Sequence, residues 1–330
     1  MPSHPIDKTS QVVIAQMAPR YSVVIPVYGN AGTIRDLVTR LQKVAEQLAA
    51  PMEAVFVVDG SPDNSLDLLR EELASANLLS RVVIHSRNFG SFPAIRMGFA
   101  LSRGEYIGVM AADLQEPPEL MTDFFSTMEN QRVDVVVGRR EGRNDPGMST
   151  MLSRTFWAMY RRLVLPEIPR GGVDVFGCTR RVADRLLELN ESHSSLVALL
   201  YWVGYKRVEV PYKRLERTVG KSGWTMKKKL GYLSDSVFAF TDLPIVALTT
   251  VGVLGSITTV VVSIIVLISR LVGGIEYPGY TALMLVMLFS TFLTLGGLGI
   301  VGSYVYRTFE NSKNRPISIA MTVEDYNGGR

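Results

Sequence analysis

Asp113 and Gln115 close an apolar run in "IGVMAADLQEPPEL", residues 107–120, with Glu116 and two prolines just behind them. A buried strand that stops in an acid delivers a carboxylate to the rim of a sheet, where it can hold a hard divalent cation. A metal site would want a second acid two residues earlier, and that position is Ala111. The stretch is either a metal site with one protein carboxylate or a strand ending in a turn. Four more polar clusters follow apolar runs. They are Pro26-Val27-Tyr28-Gly29-Asn30, Asp59-Gly60-Ser61-Pro62-Asp63, Arg87-Asn88-Phe89-Gly90 and Arg139-Arg140. An aromatic and an acid suit a base and ribose, a carboxylate suits a metal, and arginines suit phosphate. Singly, each cluster reads as a turn. Five at successive strand ends fit a nucleotide diphosphate. No GxGxxG follows the first strand and no GxxxxGK[ST] occurs, which argues against a dinucleotide fold and a phosphate-binding-loop NTPase.

The elements that must position these residues alternate between two periods. "YSVVIPV", "EAVFVVD", "RVVIHS", "EYIGVMAA" and "VDVVVGRR" read as strands. Between them "TIRDLVTRLQKVAEQL", "NSLDLLREELA" with Asn64 as its cap, "AIRMGFAL" and "PELMTDFFSTM" read as helices. Continuous apolar strands between amphipathic helices imply a parallel sheet covered on both faces. Ligands bind beyond the C-terminal ends of such strands.

No charged residue occurs from Leu243 to Ser269 or from Tyr277 to Tyr306. A helix crosses a bilayer with about 20 apolar residues, so both runs are long enough. Lys227, Lys228 and Lys229 precede the first run, and Arg307, Lys313 and Arg315 follow the second. The link "RLVGGIEYPG" carries one Arg and one Glu. Lysine and arginine favour the cytoplasmic side, so both chain ends are expected there. "VVIAQMA" near the N-terminus is too short for a signal peptide and no basic run precedes it. Cys178 is the single cysteine of 330 residues, so no internal disulfide forms. The net charge of +4 is modest, and no nucleic-acid partner is expected.

The segments "SVVIPVYGN", "VVDGSPDNS", "SRNFGSFPAI", "ADLQEPPEL", "VVVGRR" and "RTVGKSGWTMKKKL", followed by two spans, resemble the family 2 glycosyltransferases. More narrowly they are similar to the polyisoprenyl-phosphate glycosyltransferases, the group of the bactoprenol glucosyltransferases (GtrB type) and dolichol-phosphate mannose synthases. The likeness covers about residues 20–316. It implies an α/β fold: a GT-A (Rossmann-like), mostly parallel sheet, then amphipathic interfacial helices and two transmembrane helices. The implied division is an N-terminal extension 1–20, a cytoplasmic catalytic domain 21–224, a juxtamembrane helix 225–243, spans within 244–306 (about 244–269 and 278–306), and a cytoplasmic tail 307–330. The implied protein is integral to the inner (cytoplasmic) membrane.

The resemblance also implies roles. Pro26 and Tyr28 would flank the nucleobase, with Asn30, Val57 and Ala112 in the same donor pocket and Asp59 on base or ribose. Asp113 would hold Mg2+ or Mn2+ at the diphosphate, with Gln115 beside the sugar and Asp174 near sugar and acceptor. Arg139 and Arg217 would reach phosphate, and Arg214, Arg217, Lys221 and Lys227 would meet the acceptor phosphate. The donor implied is UDP-glucose and the acceptor a polyisoprenyl phosphate. The sequence departs from the family pattern at Asn30, at Val58-Asp59, at Ala111 and at Gly220-Lys221-Ser222-Gly223. Diphosphate and water can supply most of a cation's oxygens, so Asp113 alone suffices to anchor it.

In "TMKKKLGYLSDSVFAF", Met226, Leu230, Leu233, Val237 and Phe240 recur every three or four residues, giving an interfacial helix whose lysines meet anionic head groups. Trp157 and Trp202 are expected in the core and Trp224 at the interface. His85 and His193 lack a zinc pattern. Gly296, Gly297, Gly299 and Gly302 suit close packing between spans or between subunits, so a homo-oligomer stays open. Two other functions stay open as well: a processive polysaccharide synthase, for which a QxxRW motif and further spans are missing, and a non-catalytic nucleotide-sugar-binding membrane protein.

Overall fold

The computed structural model describes residues 18–141, 157–169, 172–191, 194–215, 226–272 and 279–327. Strands β1 (Tyr21–Val27), β2 (Met52–Val58), β3 (Leu79–His85), β4 (Tyr106–Val109) and β5 (Val135–Arg140) form where the apolar runs lie. Helices α1 (Ile34–Gln47), α2 (Ser65–Ser75), α3 (Ser91–Leu101) and α4 (Leu120–Gln131) connect them. Then come β6 (Phe176–Thr179), α5 (Arg180–Glu188), α6 (Leu196–Trp202) and β7 (Arg207–Tyr212). The sheet order is β7-β5-β6-β4-β1-β2-β3-β8, where β8 is Ala320–Asn327. All pairings are parallel except those of β6 and β8. β1 has β2 on one side and β4 on the other, so the chain order reverses there. Such a reversal opens a crevice beyond the strand ends.

Burial follows the sequence periods. α1 turns Ile34, Leu37, Val38, Leu41 and Val44 inward at helical spacing, and every residue of β2 is buried. Prolines open α4 as expected: Leu120 and Met121 donate their amides to the carbonyls of Pro117 and Pro118 at 3.0 Å each. Asn64 occupies the cap position of α2 but its side chain makes no capping bond. Asp63 takes that role, accepting from the Ser65 amide at 3.2 Å. Trp202 is 65% exposed, not in the core, because α6 ends there and its other residues face inward. Trp157 is half-buried, edge-on to Tyr160.

The tail expected after residue 307 divides in two. Residues up to 190, 195–226 and 316–330 form one compact unit, and residues 191–194 and 227–315 form a second. In the first, β8 pairs antiparallel with β3 from Leu79↔Asn327 to His85↔Ala320. Arg81 Nε donates to Asp325 Oδ1 at 2.7 Å, and Arg70 Nη2 to Glu324 Oε1 at 2.5 Å.

The second unit holds α7 (Met226–Phe240), α8 (Leu243–Leu271) and α9 (Tyr280–Ser312). Two stretches, Leu243–Val262 and Phe289–Ser312, are long and apolar enough to cross a membrane, and neither is buried. α7 is tied to the last turns of α9. Arg307 Nη2 donates to Asp235 Oδ1 at 2.8 Å, its guanidinium lies 4.9 Å from the centre of the Phe238 ring, and Phe238 meets Tyr304 edge-on.

Candidate functional site

The loops after β1 and β2 form one hydrogen-bonded rim. Tyr28 donates its amide to Asn30 Oδ1 (2.9 Å), Gly29 to Ser61 Oγ (2.8 Å), Asn30 to Ser65 Oγ (3.1 Å) and Ala31 to Asp63 Oδ2 (3.0 Å). Asp63 Oδ1 also accepts from the hydroxyls of Ser61 and Ser65 at 2.6 Å each. Burial pushes the Asp63 carboxyl up, but the bonds from Ser61, Ser65 and the Ala31 amide outweigh it and hold it at about 2. The rim leaves Pro26 half-buried and the Tyr28 ring 52% exposed, free to stack on a planar ligand.

Asp59 does not present its carboxylate to this rim. It is 3% exposed, and it accepts from the amides of Phe89 (2.8 Å) and Gly90 (2.7 Å), with His85 Nδ1 2.8 Å away. These bonds fix the loop after β3. Phe89 stands edge-on to His85 with the Arg87 guanidinium 3.9 Å from its ring centre. Gly60, with φ +60°, brings the β2 loop against this one: a Cβ there would meet the Asn88 amide nitrogen at 2.5 Å. Val57 is fully buried inside the sheet. Ala112 is buried too, and its carbonyl accepts from Thr33 Oγ1 at 2.7 Å, joining the loop after β4 to the start of α1.

β4 ends at Val109, and the chain turns at Ala112-Asp113 before Leu114 adopts φ 57°. Asp113 is half-exposed, and its Oδ1 accepts from the Gln115 amide at 3.3 Å. Among the described residues no group of three or more His, Cys, Asp and Glu is poised for a metal. The oxygen donor of Asp113 suits a hard cation whose remaining ligands come from diphosphate and water. Gln115 Oε1 accepts from Arg214 Nη2 at 2.6 Å, and the Leu215 amide donates to the Gln115 carbonyl at 2.8 Å. Glu116 folds inward and is 1% exposed. Burial pushes its carboxyl up to about 7, and the negative charge of Asp174 adds to the rise.

On the other side of the sheet, Arg140 pairs with Asp174, whose Oδ2 accepts from the Tyr212 hydroxyl at 3.4 Å. Arg139 Nε lies 3.2 Å from Glu209 at a half-exposed position. Arg139, Arg140 and Arg161 line a cavity of about 600 Å³ with Ile168 and Glu209. Cys178 is buried in β6, and burial pushes its thiol up to about 12, so it supplies no thiolate nucleophile near neutral pH.

The structure thus groups Pro26, Tyr28 and Asn30 on one rim, Asp113 and Gln115 on a second loop with Arg214 from after β7 bonded to it, and Arg139 and Asp174 beyond β5. Arg217, Lys221, Trp224 and His193 lie outside the described residues, as does the side chain of Lys227. Thr33, Asp63, Glu116 and Tyr212 had no role from the sequence. Of these, Asp63 carries a signal, since serines two residues before and after it can both donate to its carboxylate.

The family model of Glycosyl transferase family 2 matches residues 22–188. The "Uncharacterized glycosyltransferase YkcC" of Bacillus subtilis (strain 168) is 30% identical over 91% of this chain and 93% of its own. The undecaprenyl-phosphate 4-deoxy-4-formamido-L-arabinose transferase of Serratia proteamaculans (strain 568) is 27% identical over 90% of this chain and 91% of its own. Among solved structures, glucosyl-3-phosphoglycerate synthase of Mycobacterium tuberculosis is 15% identical with a TM-score of 0.46, over 72% of this chain and 83% of that one. On the match over residues 22–188 and the near full-length likeness to YkcC, the chain belongs to glycosyl transferase family 2.

Proposed function

We propose that this glycosyltransferase moves a hexose, glucose from UDP-glucose, to a polyisoprenyl phosphate of the undecaprenyl type at the cytoplasmic face of the inner membrane. The observation that carries the reading is the return of the chain. It leaves the catalytic unit, runs through two helices long enough to span a bilayer, and comes back to add β8 to the same sheet. A donor site so anchored serves an acceptor that lives in the membrane. The Serratia relative, named for an undecaprenyl-phosphate substrate, supports that acceptor class.

The acceptor phosphate is already an anion near neutral pH. Its oxygen forms the new bond to the anomeric carbon as the bond to UDP breaks, and the electron pair leaves with the diphosphate. No strong general base is needed, so catalysis is placement and charge stabilisation. Tyr28 offers a face to the uracil, and the Asp63 network holds that loop in shape. Asp113 is the residue that would hold Mg2+ or Mn2+, which when bound neutralises charge on the diphosphate. Arg139, half-exposed beside Glu209, would reach phosphate, and Arg217 and Lys221 would serve the acceptor phosphate. The division into an extension 1–20, a catalytic domain 21–224, a juxtamembrane helix and two spans is part of this proposal, as are cytoplasmic ends.

Purified protein given labelled UDP-glucose, Mn2+ or Mg2+ and undecaprenyl phosphate should yield a single-sugar lipid. A polymer would replace the reading with a processive synthase. No turnover across a panel of nucleotide sugars, with binding retained, would leave a non-catalytic binder.

Ala111→Asp tests the single-carboxylate site. Ala111 is half-exposed, so the added acid should leave the melting temperature within about 2 °C of wild type, since surface changes are small. Metal should then saturate at lower concentration. An unchanged metal titration would show that position 111 faces away from the cation.

Replacing Lys227, Lys228 and Lys229 with Gln should weaken attachment to anionic membranes by about 1 kcal/mol per charge. Turnover should fall in vesicles rich in anionic lipid and hold in detergent. Equal losses in both would assign the lysines to the fold or the site.

A further inference from the structure

Two segments remote in sequence meet beside Asp113. The Leu215 amide donates to the Gln115 carbonyl, Arg214 Nη2 donates to Gln115 Oε1, and Arg214 Nε lies 3.5 Å from Glu116 Oε1. Glu116 is an expensive residue to keep there. Its side chain is 2% exposed, its Oε1 makes no hydrogen bond, and the negative charges of Asp174 and Asp113 act on it. Burying a carboxylate with one oxygen unbonded opposes folding, so a Gln of the same shape would suit the fold better. Among the described residues, the positive charges acting on Glu116 are Arg214 and Arg140. Arg140 is already paired with Asp174, which leaves Arg214 as the partner. Tyr212, two residues before Arg214, is itself held by its bond to Asp174.

We propose that Glu116 and Arg214 form a latch that docks the chain leaving β7 onto the loop that carries Asp113. The end of β7 is then fixed beside the donor's diphosphate, in register with it for an incoming ligand. The latch rests on the reading above only in naming that ligand a lipid phosphate. Glu116 is a positioning residue: it acts through Arg214 and touches no reacting atom. Arg214 is a strut here, in place of the phosphate ligand expected from the sequence.

Four proteins test this: wild type, Glu116→Gln, Arg214→Gln and the double variant. With UDP-glucose, Mn2+ and undecaprenyl phosphate, each single change should raise the acceptor KM about tenfold and move the donor KM less than about twofold. The double variant should be no worse than the worse single, because both remove one interaction. Glu116→Gln should melt no lower than wild type. Amide exchange at Leu215, read without any substrate, should quicken about tenfold in both single variants. A wild-type acceptor KM in Glu116→Gln, additive effects in the double, an equal rise in donor KM or unchanged exchange at Leu215 would each overturn the latch. If wild type makes no lipid-linked sugar, the acceptor reading fails by itself, and exchange at Leu215 still decides the latch.

Discussion

Asp113→Asn is expected to lower turnover at least about a thousandfold, roughly 4 kcal/mol of transition-state stabilisation. The carboxylate sits on a turn that β4 and the Thr33–Ala112 bond hold in place, so the loop does not depend on its charge. Asn keeps the shape and an acceptor for the Gln115 amide. The melting temperature should therefore stay within about 2 °C of wild type, as for other half-exposed substitutions. With Ala111 in place of an acid, no neighbouring carboxylate stands two residues before it to share the cation. Raising Mn2+ should recover little activity. Turnover within a few-fold of wild type, at any metal concentration, would remove Asp113 from the site.

Deleting residues 316–330 should lower the melting temperature by roughly 10 °C, about 3–5 kcal/mol for a domain of this size. The deletion removes β8 and leaves the edge of β3 unpaired from Leu79 to His85. An open edge is also a template for aggregation. The ion pairs are the smaller part. Arg70→Gln or Arg81→Gln breaks a pair with an exposed partner, worth about 0–1 kcal/mol. The loss should reach the site as well, because His85 closes β3 and lies against Asp59, which holds the Phe89 loop. Thermal melts and donor binding on truncated, point-substituted and intact protein decide this. A truncated protein that melts and binds UDP-glucose like the intact one would make β8 a mere appendage.

The first five strands were legible because each is a continuous apolar run bounded by turn residues, and such runs have few other uses in a chain of this composition. β8 was not. "AMTVEDYN" is a half-polar strand following two apolar helices, and its partner β3 lies more than two hundred residues earlier. No local pattern encodes so remote a pairing. The site was legible at the level of strand ends and illegible at the level of side-chain direction. Asp59 and Asp113 both follow apolar runs, yet Asp59 turns in onto backbone amides and Asp113 stays at the surface. The difference lies in the loop after β3, the strand next to β2, which brings the Phe89 and Gly90 amides to Asp59. Glu116 reads as one more polar residue before two prolines, and only the fold shows it buried beside Arg214.

The late return of β8 has a consequence for how the protein is made. A ribosome adds about 5–20 residues per second, so roughly 10–50 s pass between the synthesis of β3 and that of its last partner. For that interval the sheet has an open edge while α8 and α9 are still being delivered. Arg70 and Arg81, awaiting Glu324 and Asp325, put charge beside that edge and oppose its pairing with another chain. The nascent enzyme carries its own guard against premature partners, and β8 relieves it once Ala320–Asn327 emerges.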